Sequence, residues 1–437
     1  MRFHNRCALL FVACCLSAGA PVRAQDSVTA RPSASASFWQ AVAGVTTVNW
    51  VTWAYNWYLQ RWPWAKVGTQ SWGRNLREGF AWDNDCFLDN QLAHPYHGSF
   101  YHGSARASGY GFWSAVPLVA AGSATWELFG ENITASLNDL INTTLGGIAL
   151  GEVTYRLSSL LGSRRASGSN GIGRELGAFA LSPTGRTQAL LRGIGHPSGP
   201  ESGPGEVAIM SLGRRDGRTF VELSVRSGSA FDAEAMRPYD AFEFRLQVSR
   251  TPGTTLRAVA ISGLLARATL GQSARSHSVL GLVQHYTYED LSVLQWGEQG
   301  VSGALLHQRR LGERNRLELE AHLEGVLLGA ISSDHGFEWR RSYDLGPGIG
   351  VRLGGRFSRD GRDWVRLEGR TLWLHSLHGS EGDHVATQVR LAATLPVSGA
   401  LGLGGDLAVT TRHSSYPDFP AVRQRVPEVR AYLTWAP

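Results

Sequence analysis

The residues best suited to chemistry are concentrated between Asp83 and Arg156, in an otherwise apolar stretch of the chain. Imidazole groups exchange protons near neutral pH, carboxylates orient imidazoles or bind cations, and arginine pairs with carboxylates. We therefore expect a polar cluster in the first half of the protein. Its candidate members are His94, His97, Arg106, Glu127, Glu131, Asp139 and Glu152.

A structural role is the first interpretation of this cluster. Buried carboxylates and histidines need partners, because an isolated charge loses its hydration in the protein interior. Arg106 and Arg156 are available as partners. The ion pairs would then fix helices against one another, and the cluster would carry out no reaction.

An enzyme that acts on envelope lipids at the membrane interface is the second interpretation. Such a hydrolase or acyltransferase would use a histidine as base, a carboxylate to orient it and a serine as nucleophile. The candidate nucleophiles are Ser99, Ser104 and Ser123. The sequence contains no Gly-x-Ser-x-Gly motif that would mark a nucleophile elbow.

A metal site is the third interpretation. It would be built from His94, His97 and one carboxylate, because imidazole and carboxylate ligands suit zinc or a similar ion. The candidate carboxylates are Glu127, Glu131 and Asp139. The spacing of the two histidines is not that of the His-Glu-x-x-His motif of metalloproteases. No other cofactor is predicted, and no catalytic residue is assigned.

The same region resembles a family of exported Gram-negative bacterial proteins that is catalogued as a domain of unknown function. The resemblance covers about residues 80–160 and rests on these residues and their spacing: Asp89-Asn90, His94-Pro95-Tyr96-His97-Gly98, Tyr101, Ala105-Arg106, Gly109, Ser123, Trp126-Glu127, Glu131, Ser136, Asn138-Asp139, Gly146-Gly147, Gly151-Glu152 and Arg156. It implies an envelope protein and supplies no substrate or reaction.

Helices are expected to position the cluster, at about residues 97–109, 114–130, 136–145 and 147–161. Ser136 is a candidate N-cap for the third of them. Three glycines, Gly146, Gly147 and Gly151, permit close approach between elements. A segment at 163–172 has the composition of a linker, and one more short helix is expected from Pro183 to Leu191.

Tryptophan marks a further feature, since ten of the 15 tryptophans lie between Trp39 and Trp126. Trp50, Trp53 and Trp57 recur on one helical face, in a stretch without charged residues. Because tryptophan prefers the wet edge of a bilayer, an amphipathic helix lying against lipid or against the rest of the protein is predicted. A membrane-spanning helix and a core helix of a soluble domain are the alternatives.

From about Glu206 onward, apolar and polar residues alternate with the period of two that is typical of β-strands. Asp216-Gly217 and Asp360-Gly361 predict type I′ hairpins, because both positions of that turn need a positive φ. About twelve such segments predict a closed antiparallel barrel. One strand is represented by Phe242, Phe244, Leu246 and Val248 alternating with Glu243, Arg245, Gln247 and Ser249.

The polar face of these strands carries many charges, among them Arg352, Arg356, Arg366, Glu368 and Arg370. A soluble core cannot hold them, but the lumen of a transmembrane barrel can. We therefore predict an outer-membrane barrel that serves as an anchor or as a narrow, plugged pore. The helical half would lie in the lumen or in the periplasm. An open, anion-selective pore is the alternative.

The amino terminus predicts export. Arg2 and Arg6 precede an apolar run, and Val22-Arg23-Ala24 suits a signal peptidase that cleaves near Ala24-Gln25. Lipoprotein processing at Cys14 or Cys15 is an alternative to this prediction. Cleavage near Gln25 would leave Cys86 as the one cysteine of the mature chain, which excludes an intramolecular disulfide.

The predicted fold class is α+β, with a helical, tryptophan-rich domain followed by a transmembrane β-barrel. The expected boundaries are a signal peptide at 1–24, a flexible lead at 25–37, the helical domain at 38–162, a linker with a short helix at 163–205 and the barrel at 206–437. Hydrophobic residues make up 43% of the chain and charged residues 18%, which excludes general disorder.

The expected partners are outer-membrane lipid and the barrel-assembly machinery. Lys66 is the single lysine, and the arginines form no basic stripe, so nucleic acid is not expected as a partner. The sequence indicates no oligomeric state.

Overall fold

The computed structural model describes residues 37–163, 169–191, 207–215, 218–232, 237–251, 254–291, 294–333, 335 and 342–435. The chain forms a helical domain followed by a closed antiparallel barrel of twelve strands. This confirms the predicted fold class. The predicted signal peptide, the flexible lead up to residue 36 and the Asp216-Gly217 turn lie outside the described residues.

The helical domain contains seven α-helices in the described part of the chain. They are α1 Phe38–Ala54, α2 Thr69–Glu78, α3 His94–Ala107, α4 Phe112–Phe129, α5 Leu137–Ser163, α6 Ser169–Leu181 and α7 Pro183–Leu191. Shorter elements connect them: the π-helical segments Tyr55–Gln60 and Asp89–Ala93, the 3₁₀ turn Pro63–Ala65, and the short parallel strands β1 Phe80–Ala81 and β2 Ala135–Ser136.

Helix α5 replaces the two helices expected at 136–145 and 147–161. Gly146 and Gly147 do not interrupt it, because α3 packs directly against this part of the helix. A Cβ atom at Gly147 would lie 2.6 Å from the Cα atom of Gly98. The close contact offsets the low helix propensity of glycine. Helix α6 begins at Ser169, within the segment whose composition indicates a linker.

The barrel strands are β3 Val207–Arg215, β4 Arg218–Ser227, β5 Phe242–Thr251, β6 Thr254–Gln272, β7 Ser276–Asp290, β8 Gln295–Arg310, β9 Asn315–Ser332, β10 Tyr343–Arg359, β11 Arg362–His375, β12 Asp383–Ser398, β13 Leu401–Ser415 and β14 Val422–Trp435. Each pairs with its neighbours along the chain, and pairing of β14 with β3 closes the cylinder. Asp360 and Gly361 have φ values of 52° and 77°, as the predicted hairpin requires.

Charged side chains line the lumen and pair across it. Arg356 of β10 lies 2.5 Å from Glu243 of β5, and Arg226 of β4 lies 3.3 Å from Glu318 of β9. Neither pair belongs to adjacent strands, so both cross the interior. The charged face of the strands is therefore the lumenal face, as the alternation predicts.

An apolar cluster lies in the lumen near the end of β7 and the start of β8. The guanidinium of Arg370 lies 4.9 Å from the ring centroid of Trp296 and pairs with Glu324 at 2.7 Å. The other buried members of the cluster are Leu291, Leu294, Val326, Ile331, Leu372, Leu374 and Ala386. These side chains narrow the interior at this level of the barrel.

The outer face of the barrel is apolar, and part of it is covered by the helical domain. On β7, the outward side chains of Leu280 and Leu282 are 49% and 42% exposed, whereas Tyr286 and Tyr288 in the same row are 0% and 1% exposed. The Tyr286 hydroxyl donates to the main-chain oxygen of Gln91 at 2.7 Å. The tyrosines therefore contact the helical domain, whereas the leucines face the surroundings of the protein.

This contact continues along α5. The side chain of Gln284 donates to the main-chain oxygen of Leu145 at 3.1 Å, and that of Gln299 donates to Asn142 at 2.5 Å. One apolar core joins the two parts and contains Ile148, Leu150, Val153, Phe242, Phe244, Leu246, Val259 and Ile261. The helical domain thus packs on the outer wall of the barrel. We expected the helical domain in the lumen or in the periplasm, and the contacts of Gln284 and Gln299 place it against the outer wall instead.

Candidate functional site

The predicted polar cluster is divided into two groups along the contact between α3 and α5. These helices run in the same direction, so that His94 lies near Thr143, Gly98 near Gly147 and His102 near Gly151. We call the first group the acidic cluster; it comprises Asp83, Asp85, His94, Glu127, Glu131 and Asp139. We call the second the arginine cluster; it comprises His102, Arg106, Glu152 and Arg156.

Glu152 is the centre of the arginine cluster and is fully buried. Its carboxylate lies 2.9 Å from His102 Nε2, 2.8 Å from Arg106 Nε and 2.8 Å from Arg156 Nε. Burial favours the neutral acid, but Arg106, His102 and Arg156 outweigh it and hold the pKa of Glu152 below its ordinary value. The group is an ionised carboxylate with a complete set of partners.

Arg156 extends this network to the barrel. It lies 3.1 Å from the carboxylate of Asp240 and donates to the main-chain oxygen of Pro238 at 2.7 Å. Sequence reasoning selected Arg106 and Glu152 as candidates and Arg156 as a partner, but it did not select His102, which lies in the same polar stretch. One sequence feature could have identified His102. It lies four residues before Arg106, and Glu152 lies four residues before Arg156 on the partner helix.

The acidic cluster joins α5 to the segment that precedes α3. Asp83 Oδ1 accepts hydrogen bonds from the side-chain amides of Asn138 at 2.7 Å and Asn90 at 3.2 Å. His94 Nε2 lies 3.3 Å from Asp139 Oδ2, and His94 Nδ1 lies 3.2 Å from the hydroxyl of Thr143. Two asparagines and one threonine therefore fix the orientation of the charged groups.

Two glutamates of α4 and the loop after it complete the acidic cluster. Glu127 Oε2 accepts from the main-chain nitrogen of Ser136 at 2.9 Å, and Glu131 Oε1 accepts from Trp126 Nε1 at 2.9 Å. Burial and the charge of Glu131 raise the pKa of Glu127 well above its ordinary value. Burial and the charge of Asp85 raise the pKa of Glu131 to about 8.

The two aspartates that flank His94 have opposite pKa shifts. Burial and the charge of Asp83 raise the pKa of Asp139 well above its ordinary value. Burial also acts to raise the pKa of Asp83, but hydrogen bonds with Asp139 and Asn138 outweigh it and lower this pKa to about 2. Asp83 is thus the permanent anion of the pair, and burial lowers the pKa of His94 beside it.

His97 lies apart from the carboxylates and contacts Tyr101 and Thr52. Its Nε2 atom is 3.0 Å from the Tyr101 hydroxyl and 3.4 Å from that of Thr52. Burial lowers the pKa of His97 to about 3, so the ring is neutral at physiological pH. The structure therefore does not bring His94 and His97 together on one ligand. His94 instead groups with Asp85 and Asp139, whose ligand atoms all lie within 4.8 Å of one another.

The candidate nucleophiles are engaged in packing interactions. Ser99 and Ser123 donate to main-chain oxygens, at 2.6 Å to Tyr96 and 3.5 Å to Leu140. Ser104 accepts from Gln188 at 3.2 Å. None of these hydrogen bonds joins a candidate serine to a histidine, which a hydrolase of this kind would require.

A cavity of about 1330 Å³ occupies the other half of the lumen. Its charged lining is mixed in sign and includes Arg226, Glu243, Glu318, Arg352, Arg356 and Arg366. None of the residues of the apolar cluster around Trp296 lines this cavity.

Comparison with known proteins finds a family match within the helical domain. Residues 79–184 match a domain of unknown function, DUF3943. The match confirms the resemblance carried by the region around His94 and Glu127. It covers helices α3 to α6 and the beginning of α7, and with them both polar clusters. No curated protein sequence is significantly similar to the chain.

Several solved structures are similar to about half of the chain. They include the NanC porin, with 8% identity and a TM-score of 0.30, and the KdgM porin, with 6% identity and a TM-score of 0.25; each alignment covers 52% of this chain and 98% of the other. The toluene transporter TodX of Pseudomonas putida has 8% identity and a TM-score of 0.21, over 53% of this chain and 89% of the other.

Proposed function

We propose that this protein is an outer-membrane barrel with a closed lumen whose role is to hold the helical domain against its outer wall, at the level of the bilayer. The barrel is then an anchor and a scaffold rather than a channel. The observation that carries this proposal is the contact described above, in which outward tyrosines and phenylalanines of β5 and β7 share one apolar core with the helical domain, while ion pairs and apolar side chains occupy part of the lumen.

The uncovered part of the outer wall supports insertion into lipid. Its outward positions are apolar and exposed on strand after strand, and they include Leu323, Val351, Leu367, Val389, Leu407 and Val429. In water this wall would be a large exposed apolar patch, which soluble proteins avoid. In a bilayer it is the lipid-facing surface that a transmembrane barrel requires.

The helical domain presents an apolar surface beside this wall. Helix α1 contains no charged residue, and Trp39 and Trp50 on it are 77% and 63% exposed. Other large exposed side chains on the domain are Leu59, Trp113, Ile172, Leu176 and Leu191. No helix in the described part of the chain is long and apolar enough to cross a membrane. We infer that the domain lies against the bilayer interface, where tryptophan side chains are favoured.

The position of the helical domain can be tested by cross-linking in isolated outer membranes. With Cys86→Ser as background, the pair Leu145→Cys and Gln284→Cys should be joined efficiently by a short thiol cross-linker, because the Gln284 side chain contacts the Leu145 main chain. The matched control replaces Gln284→Cys with Val283→Cys. Val283 is the preceding residue on β7 but lines the lumenal cavity, so it should not be cross-linked.

In the reverse pattern, Val283→Cys would be cross-linked and Gln284→Cys would not react. That result would place the helices inside the barrel and contradict the proposed role of the barrel as a scaffold. Recovery of the protein in the soluble fraction would contradict the membrane assignment itself.

Electrical recording tests whether the lumen is closed. In planar bilayers the purified protein is expected to give no stepwise conductance, because the cluster around Trp296 blocks the interior. A variant that removes three lumenal side chains of this cluster, Trp296→Ala with Leu372→Ala and Leu374→Ala, should conduct. Ion-selective steps from the unmodified protein would instead support a pore.

A further inference from the structure

We propose that Asp85, His94 and Asp139 form a binding site for a divalent transition-metal ion of the zinc type, inside the helical domain. The inference is independent of the role of the barrel. It rests on the arrangement of the acidic cluster around His94 and on a buried carboxylate oxygen that lacks a partner.

The geometry of the three residues suits a metal ion. One nitrogen and two carboxylate oxygens lie within 4.8 Å of one another, which is close enough for a single ion to touch all three. They come from separate parts of the chain: the loop after β1, the first residue of α3 and the first turn of α5. Imidazole and carboxylate ligands together suit zinc and its first-row neighbours.

A buried carboxylate oxygen without a hydrogen-bond partner lies in the same cluster. Glu127 is 1% exposed, and its Oε1 atom has no hydrogen-bond partner among the described residues. Its Oε2 atom binds the main chain of Ser136, whose hydroxyl in turn accepts from the main-chain nitrogen of Asp139 at 3.1 Å. Ser136 thus links the Glu127 carboxylate to the main chain of the proposed ligand Asp139.

The charge balance of the cluster points the same way. Within the described residues, the ion pairs of Asp83, Glu127, Glu131 and Asp139 include no arginine or lysine, and the single one is that of Asp139 with His94. The arginine cluster on the same pair of helices supplies two guanidiniums to one carboxylate. Buried carboxylates without a cation are unfavourable, and a divalent ion would supply the counter-charge.

The surroundings orient the ligands in the manner of a metal site. The Nδ1 atom of His94 faces the Thr143 hydroxyl, which leaves Nε2 directed at Asp139. The Asn138 side chain lies 3.2 Å from Asp139 Oδ1. Metal-binding histidines and carboxylates are commonly fixed by such second hydrogen bonds. Three protein ligands leave at least one coordination position for water or for a further group.

Zinc binding to the full-length protein tests the proposal. The protein is purified in detergent without a polyhistidine tag, treated with chelator and titrated with Zn²⁺ against a chromophoric competitor. One ion per chain is expected. The ligand variants His94→Gln and Asp139→Asn should bind at least about 100-fold more weakly, since loss of an outer hydrogen bond alone weakens binding 10- to 100-fold.

His97→Gln is the matched control, because His97 lies on the same helix but outside the ligand group, and it should bind like the unmodified protein. Asp85→Asn provides a ligand variant in the partly exposed loop, should the buried variants fail to fold. The proposal is overturned by the absence of stoichiometric binding in the unmodified protein, by full affinity in His94→Gln or Asp85→Asn, or by loss of binding in a folded His97→Gln protein.

Discussion

Glutamine at Glu152 is expected to destabilise the helical domain by about 3–5 kcal/mol, the usual effect of removing one partner from a buried ion pair. The substitution preserves the shape of the side chain but removes the charge that Arg106 and Arg156 both contact. Two guanidiniums would then remain in the interior without an anion between them. Because Arg156 also holds the segment before β5, the domain should loosen from the barrel as well.

Urea titration followed by tryptophan fluorescence measures this effect, since most tryptophans lie in the helical half. The barrel should keep its heat-modifiable mobility on gels, because it does not depend on Glu152. The matched control is Glu78→Gln, which removes an exposed carboxylate 4.0 Å from Arg74. An exposed pair contributes only about 0–1 kcal/mol. Equal unfolding free energies for the two variants would show that the network is not stabilising.

The barrel could be predicted because lipid imposes a strict pattern. A closed sheet with a charged lumen must alternate apolar and polar residues, and the Asp360-Gly361 turn fixes where one strand ends and the next begins. Which part of the outer wall meets helices could not be predicted. Tyr286 on β7 faces a helix and Leu280 does not, yet both environments are apolar and select the same kinds of residue.

The members of the polar cluster could also be predicted, but their division into the acidic cluster and the arginine cluster could not. Helical spacing indicates which residues share a face of one helix. It does not indicate how two helices are aligned, and a shift of one turn would give both His94 and His102 other partners. The alignment is set by a contact between main chains at Gly98 and Gly147, which has no charge or hydropathy signal in the sequence.

Alanine at Gly98 tests this alignment and is expected to destabilise the helical domain by about 3 kcal/mol or more, at or beyond the upper end for overpacking. A Cβ atom there would lie 1.8 Å from the main-chain oxygen of Thr143. A main-chain atom cannot move aside as a flexible side chain can, so α3 and α5 must separate. His94 would then move away from Asp139, and His102 from Glu152, so that both clusters should weaken together.

Gly111→Ala is the control for this substitution. Gly111 precedes α4 with a φ of −70°, which alanine adopts without strain, and its added Cβ atom would lie no closer than 3.6 Å to Ser114 Oγ. It should change the unfolding free energy by less than about 1 kcal/mol. Near-UV circular dichroism compares the tertiary packing of the two variants, and urea titration compares their free energies of unfolding. If Gly98→Ala proved as stable as Gly111→Ala, the helices could not be in main-chain contact. The shared alignment that separates the arginine cluster from the proposed metal site would then have to be given up.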